Sequence, residues 1–185
     1  MDHVVDIALR QGRLLARLVD ELLSVARIQA GRMELHLEEV DLVALTKEAV
    51  ATVADDLARA ACLVTLQATG AIRGRWDRPR LLQVVVNLLT NAARHAPGAP
   101  VRIRVDASPT SATLEVRDQG QGIPLPLQAR IFERFERATP HGDQGGLGLG
   151  LYISMEIVRA HGGGLRVDSD VGAGAAFIVS LPYGD

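Results

Sequence analysis

The sequence predicts an α+β fold: a two-layer α/β sandwich with one mixed sheet, preceded by a long bundle-type helix. Three observations carry this. Strand-like segments come mostly in adjacent pairs between helices, which favours segregated layers over a repeating strand–helix–strand sheet. Residues 3–29 repeat apolar side chains at three- and four-residue steps, the mark of an amphipathic helix. The length of 185 residues and the apolar fraction of 48% suffice for one sizeable core and an appendage.

The elements follow in order. Val4, Ile7, Ala8, Leu14, Leu15, Leu18, Leu22 and Val25 form the stripe of the first helix, and Arg10, Arg13, Arg17, Asp20 and Arg27 fill much of its other side. At 1.5 Å per residue such a helix is about 40 Å long. Its stripe asks for partner helices, as in a bundle or coiled coil; the alternative is a helix packed on its own domain. Gly31 suits a stop. MELHLEEV (33–40) alternates and predicts a short strand. Asp41 can then cap a helix running to about Ala60. Leu63–Ala68 and Ile72–Trp76 read as two strands around a Gly70 turn. Asp77 with Pro79 opens the next helix, which ends before Pro97 and Gly98. Val101–Ala107 and Ala112–Arg117 form the next alternating pair. A short helix near Leu127–Phe132 precedes a polar, glycine-bearing segment from Arg137 to Gly146. The stretch Gly148–His161 turns helical in its second half, and Leu165–Ser169 and Ala175–Leu181 are the closing strands.

Bulk properties exclude several classes. A net charge of −2 gives no general pull toward nucleic acid or an anionic membrane. Apolar runs such as LLQVVV fall far below the roughly 18 residues of a membrane span. No signal-peptide pattern opens the chain. A single cysteine, Cys62, excludes an internal disulfide framework and a cysteine-based zinc site, and fits a reducing, cytoplasmic setting.

The third predicted helix poses the chemical question. NLLTNAARHAP (87–97) sits in an apolar stretch that includes Leu81, Val84, Val85, Leu88 and Leu89, yet it carries Asn87 and Asn91. Positions four apart share a helix face. A buried amide costs free energy unless its donors and acceptor are matched. The two amides therefore serve a packing network or face something that is not protein.

Three glycine-bearing segments follow: DQGQGIP (118–124), GGLGLGLYI (145–153) and HGGGLRV (161–167). In the first, Gly120 and Gly122 remove side chains where a flat ligand can approach, and they permit positive φ. Asp118 points an acceptor-only carboxylate into that gap, which suits an exocyclic amine such as that of adenine. The second segment alternates glycine and leucine as a helix starts, where free backbone N–H groups meet an anion. The chain contains no G-x-x-x-x-G-K-S/T, no G-x-G-x-x-G and neither H-R-D nor D-F-G, which rules out a P-loop and a eukaryotic-type kinase site. Each glycine segment alone also fits a plain turn. The weight lies in their order: Asn-x-x-x-Asn on a helix, then D-x-G-x-G, then G-x-G-x-G opening another helix.

In that order the chain resembles the catalytic, ATP-binding domain of bacterial two-component sensor histidine kinases, within the GHKL superfamily of the Bergerat fold. LLQVVVNLLTNAARHAP matches the family's asparagine box, DQGQGIP its first glycine box, IFERFER (131–137) its phenylalanine box and GGLGLGLYI its second glycine box. The closing hairpin matches HGGGLRVDSDVGAGAAFIVSLP. The first helix through RIQAGRMELHLEEVDL resembles the second helix of the dimerisation bundle and the entry strand after it. The resemblance thus divides the chain into residues 1–30, an incomplete histidine phosphotransfer bundle, and residues 31–185, the catalytic domain.

What the resemblance implies is specific. Asn91 would ligate Mg²⁺ bridging the ATP phosphates, with Asn87 beside it supporting the metal or its waters; such a hard ion prefers oxygen ligands and takes only a few from protein. Arg94 and Arg137 would reach phosphate, or stand as solvated surface arginines, and His95 would line the site or serve structure. Asp118 would hold the adenine amine, with Gly120, Gly122 and Ile123 shaping the pocket. Gly146, Leu147, Gly148, Leu149 and Gly150 would line the phosphate side. The segment between Arg137 and Gly146 would be a lid, its near end anchored by Phe132 and Phe135. Asn87 stands where the ATP-hydrolysing branches carry a glutamate that activates water, and an amide is no general base. This favours a kinase.

One part of the pattern is broken. The acceptor box of the family, like H-E-L-R-T-P, is absent, and none of His3, His36, His95, His141 and His161 carries it. The expected activity is therefore donation of the γ-phosphoryl group to a histidine outside this chain, for relay to a response regulator, without autophosphorylation of the chain alone. The intact parent would be a homodimer through its bundle helices, with this portion cytoplasmic and membrane attachment of the parent left open. Two alternatives are an anti-sigma-type serine kinase of the same superfamily, against which the long first helix argues, and a nucleotide-binding regulatory module without transfer activity.

Overall fold

The computed structural model describes residues 2–30, 33–136 and 147–184. Helix α1 (Asp2–Gln29) leads the chain; Gly31, its expected stop, lies outside the described residues. From Leu18 to Ile28 one face of α1 packs on the body of the domain, against the last helix, and Val25 joins the core. Leu15, Val19, Leu22 and Leu23 stay exposed. Packing on its own domain, one of the two expectations for the stripe, thus holds for Leu18 and Val25.

Asp41 caps helix α2 (Leu42–Thr52) as predicted, its Oδ1 accepting from the N–H groups of Val43 and Ala44. The single helix expected to reach Ala60 is two, α2 and α3 (Ala54–Arg59). The break falls at Val53, with φ −105° and ψ 15°. Thr52 Oγ1 donates back to the Glu48 carbonyl at 2.9 Å, a local bond that bends helices.

The sheet is mixed and five-stranded, in the order β2 (Val64–Ala68), β4 (Val101–Ala107), β5 (Ser111–Arg117), β7 (Gly174–Pro182), β6 (Gly164–Asp170). Only β2 and β4 run parallel. Two expectations need correction. β2 does not form a hairpin with β3 (Arg73–Trp76); β3 pairs antiparallel with β1 (Glu38–Asp41) in a separate ribbon. The reason lies in the side chains. Register places Val64 beside Val101 and Leu66 beside Ile103, so the alternation of β2 matches an apolar strand face, which RGRW does not offer. The strand expected over 33–40 shrinks to four residues for the same reason, since β3 offers four partners. Upstream, the His36 N–H donates instead to Asp77 Oδ2 at 3.0 Å.

Helix α4 (Arg78–His95) opens on Asp77, whose Oδ1 accepts from the Arg80 N–H. A short helix α5 (Leu125–Gln128) and a 3-10 turn (Arg130–Phe132) precede helix α6 (Gly150–Ala160). The core lies between these helices and one sheet face. Val101, Ile103, Val105, Leu114, Val116 and Val179 meet Leu81, Val85, Leu88, Leu89, Ile153 and Ile157 there, all buried. Each such side chain stabilises by about 1.5–3 kcal/mol on area grounds. Arg102, Arg104, Glu115 and Arg117 occupy the other, solvated face. Helices therefore cover one side of the sheet only, and the architecture is the expected α+β sandwich. Among the described residues no helix is long and apolar enough to cross a membrane.

Candidate functional site

A cleft opens between α4 and the start of α6, with β7 behind it. It gathers most of the sequence-predicted site. Asn87, Asn91, Arg94 and His95 enter from α4; Asp118, Gly122 and Ile123 from the loop after β5; Leu147, Gly148, Leu149 and Gly150 from the start of α6. Gly120 lies behind this wall rather than in it. Arg137 and Gly146, and with them the predicted lid, lie outside the described residues.

Asp118 ends β5 and is 6% exposed. Its Oδ1 accepts from the Gly120 N–H at 2.8 Å and from the Ala175 N–H at 3.3 Å. Both bonds fall on one oxygen. Among the described residues none uses Oδ2, which is left to the cleft. The arrangement fixes the carboxylate through backbone donors and presents a single acceptor to whatever enters. Ile123, beside it, is pinned to β6: its N–H donates to Ser169 Oγ at 2.9 Å, and Gln128 Nε2 donates to both the Ile123 and Ser169 carbonyls.

The two asparagines divide their work. Asn87 is buried, and its Nδ2 donates to Ser154 Oγ on α6 at 3.0 Å. It ties α4 to α6 and holds their separation. Asn91, one turn on, is half-buried and lines the cleft. A packing network was one expectation for this pair, and Asn87 makes that bond while both amides line the cleft.

The glycines also make room for the protein's own atoms. A Cβ on Gly150 would come within 2.2 Å of Asn87 Oδ1. One on Gly120 would meet the His95 carbonyl at 2.6 Å, and one on Gly122, at φ +72°, the Asp170 carbonyl at 2.0 Å. Each lets two segments of the chain approach more closely than a side chain would allow. Leu149 precedes α6 without a side-chain cap, so the first-turn N–H groups are not taken by a capping side chain.

Across the site, the Phe135 N–H donates to the Gly148 carbonyl at 3.2 Å. Phe132 packs on the core as expected, but Phe135 is 63% exposed, with φ 65°, and anchors by its backbone. Glu136, next to it, lines the cleft and accepts a hydrogen bond from Arg130 Nη2 at 2.5 Å. That hydrogen bond, and then the coulombic attraction of Glu136, raise the Arg130 pKa above its ordinary value.

Several lining residues escaped sequence reasoning: Glu21, Gln121, Ile131, Glu136, Leu151, Ala175 and Phe177. Ala175 and Phe177 follow from the alternation of β7. Glu21 had a fainter signal, an acid three residues after Leu18 and four before Val25 on an apolar stripe. Among the described lining residues the acids Glu21, Asp118 and Glu136 outnumber the one arginine, Arg94.

Residues 76–185 match the family described as histidine kinase-, DNA gyrase B- and HSP90-like ATPases. The signal transduction histidine-protein kinase AfsQ2 of Streptomyces coelicolor is 32% identical over 191 residues, which cover 98% of this chain and 33% of that protein. The sensor histidine kinase MtrB of Mycobacterium tuberculosis is 37% identical over 169 residues, 89% of this chain and 30% of its own length. Among solved structures, full-length ShkA in complex with AMPPNP matches with a TM-score of 0.84 at 27% identity, over 98% of this chain and 38% of that one. The chain spans about a third of the length of these curated relatives.

Proposed function

The chain belongs to the family of histidine kinase-, DNA gyrase B- and HSP90-like ATPases, on its sensor histidine kinase side, and from that membership we propose that residues 31–185 bind Mg·ATP and donate its γ-phosphoryl group to a histidine. Residues 1–30 would be the second helix of the bundle on which such a histidine is carried. The observation that supports this most is Asp118, held by Gly120 and Ala175 with Oδ2 toward the cleft. An acceptor fixed in that way selects an amine donor such as that of adenine.

The remaining roles follow the cleft. The uncapped start of α6, from Gly148 to Gly150, takes phosphate on its N–H groups. Arg94 takes the terminal phosphates, with Arg137 as the second candidate. His95 stays at the rim, exposed. Among the described residues no group of three or more His, Cys, Asp or Glu side chains forms a metal cage. That donor set fits an ion held mostly by phosphate and water. Asn91 is the protein ligand proposed for Mg²⁺, and Asn87, bonded to Ser154, holds the helix that presents it. The ion, when bound, neutralises charge on the transferring phosphoryl group.

Asn87 cannot take a proton from water, so the site holds ATP without a built-in base for hydrolysis at this position. The anti-sigma-type kinase and the regulatory module are not favoured, because the relatives named above are histidine kinases and the match to AfsQ2 covers 98% of this chain, the long first helix included. A response regulator as the next acceptor, homodimerisation through the bundle helices and a cytoplasmic location complete the proposal. Titration with an ATP analogue, with and without Mg²⁺, on wild type and Asp118→Ala tests it: binding should require Asp118 and strengthen with Mg²⁺. Equal binding by the variant would refute it.

A further inference from the structure

The side of the cleft formed by Asp118 and Ile123 stands on a residue that is not among the described lining residues. On β6, Leu165, Val167 and Ser169 share the more buried face, with Ser169 9% exposed. An aliphatic side chain would suit that row, because a buried hydroxyl costs free energy unless it is matched. Ser169 is matched twice, and both partners support the cleft. Its Oγ accepts from the Ile123 N–H at 2.9 Å and donates to the Gly174 carbonyl at 2.6 Å. Gly174 leads into Ala175, whose N–H donates to Asp118 Oδ1 at 3.3 Å and whose carbonyl accepts from the Asp118 N–H at 2.9 Å. A Cβ on Gly174 would come within 2.2 Å of the Asp118 carbonyl, so this turn lies directly on that residue. Gln128 braces the same joint from α5. Half-buried, its Nε2 donates to the Ile123 and Ser169 carbonyls at 2.9 and 2.7 Å.

Resting on the nucleotide reading of this cleft, we propose that Ser169 is a positioning residue for adenine selectivity: one hydroxyl sets the apolar wall at Ile123 and the carboxylate of Asp118 relative to each other. The segment 118–123 that carries both groups is neither helix nor strand, so its shape comes from what it rests on. It rests on the turn between β6 and β7. The Gly172 N–H donates to the Gln121 carbonyl at 2.7 Å, Ala175 holds Asp118, and Ser169 bonds to the segment and to the turn at once. Removing that hydroxyl frees Ile123 and loosens the seat of Asp118 together, while Asp118 and Ile123 themselves remain. A binding group whose supporting bonds are lost is held less well in its productive geometry. The loss falls on the base, because Ser169 supports none of the groups on α4 and α6 that are read as the phosphate side.

The test is titration of the chain with ATP and with inosine triphosphate, each with Mg²⁺, in wild type, Ser169→Ala and Gln128→Ala. Wild type should prefer ATP. Ser169→Ala should bind ATP about tenfold more weakly. Inosine triphosphate, which has no amine for Asp118, should lose only about twofold through Ile123, so the preference shrinks about fivefold. Gln128→Ala should shrink it in the same direction by about threefold, and it decides the matter should Ser169→Ala fail to fold. A merely structural serine would weaken both ligands by one factor and leave their ratio unmoved. A ratio unchanged or larger therefore overturns the role of Ser169 and leaves the nucleotide reading standing. Wild type that binds neither ligand, or both alike, refutes the base reading of Asp118 and this proposal with it.

Discussion

The amide of Asn87 fills the place that a side chain at position 150 would need: a Cβ on Gly150 would lie 2.2 Å from Asn87 Oδ1, while Asn87 Nδ2 is bonded to Ser154 Oγ at 3.0 Å. The asparagine box and the second glycine box thus meet as one joint between α4 and α6. Gly150→Ala should force Asn87 to turn and give up Ser154. Overpacking of this kind costs about 1–3 kcal/mol. Chemical denaturation should show that loss, and nucleotide titration should show weaker binding. Ser154→Ala, which strands only the buried amide, should cost about 1–3 kcal/mol in stability with a smaller effect on binding. Ligand binding lost in Gly150→Ala with stability unchanged would contradict the joint.

Asp118 keeps Oδ2 for the cleft, where the proposal puts the base. Replacing the adenine amine by a carbonyl, as in inosine triphosphate, sets acceptor against acceptor. Loss of a hydrogen bond to a charged group costs about 1.5–3 kcal/mol, so inosine triphosphate and the Asp118→Asn variant should each bind roughly tenfold to a hundredfold more weakly. Competition titration reads this directly. ATP and inosine triphosphate binding alike would remove Asp118 from base recognition.

Phosphoryl transfer needs an acceptor imidazole in line with the terminal phosphate. None of the five histidines lies in an acceptor box. The chain alone should therefore incorporate no radiolabel from γ-labelled ATP above an Asn91→Ala control. An acceptor helix from a relative, supplied in trans, should become labelled on histidine, and Asn91→Ala should abolish the labelling. Label on a histidine of the isolated chain would refute this account of the sequence.

Exposed Leu15, Val19, Leu22 and Leu23 give α1 an apolar stripe facing water, and such stripes seek partners. The chain should self-associate in sedimentation experiments as its concentration rises. Leu22→Glu should shift it toward monomer. A clean monomer at high concentration for the wild type would count against a bundle role.

Much of this was legible in the sequence because local chemistry and tertiary demand agree. Asp41 and Asp77 cap helices as their types predict, and the alternation of β4, β5 and β7 gives the buried sheet face. The motifs put Asn91, Asp118 and Gly148 in one cleft. What failed depended on partners distant in sequence. The pairing of β2 with β4 rather than β3 is decided by which strand offers an apolar face. Nor does sequence show that at Gly120, Gly122 and Gly150 the missing side chain also makes room for a carbonyl or an amide of the protein itself. Glu21 sits some sixty-six positions before Asn87, and no local pattern says that its helix folds back on the cleft.

The central claim is a position: Mg·ATP between α4 and α6, purine against Asp118. A crystal of the chain soaked with an ATP analogue and Mg²⁺ tests it most directly. The account predicts density with the adenine amine within hydrogen-bonding distance of Asp118 Oδ2 and the metal on Asn91 Oδ1. A cleft that stays empty in the soak, or a nucleotide bound with its base elsewhere, would contradict it.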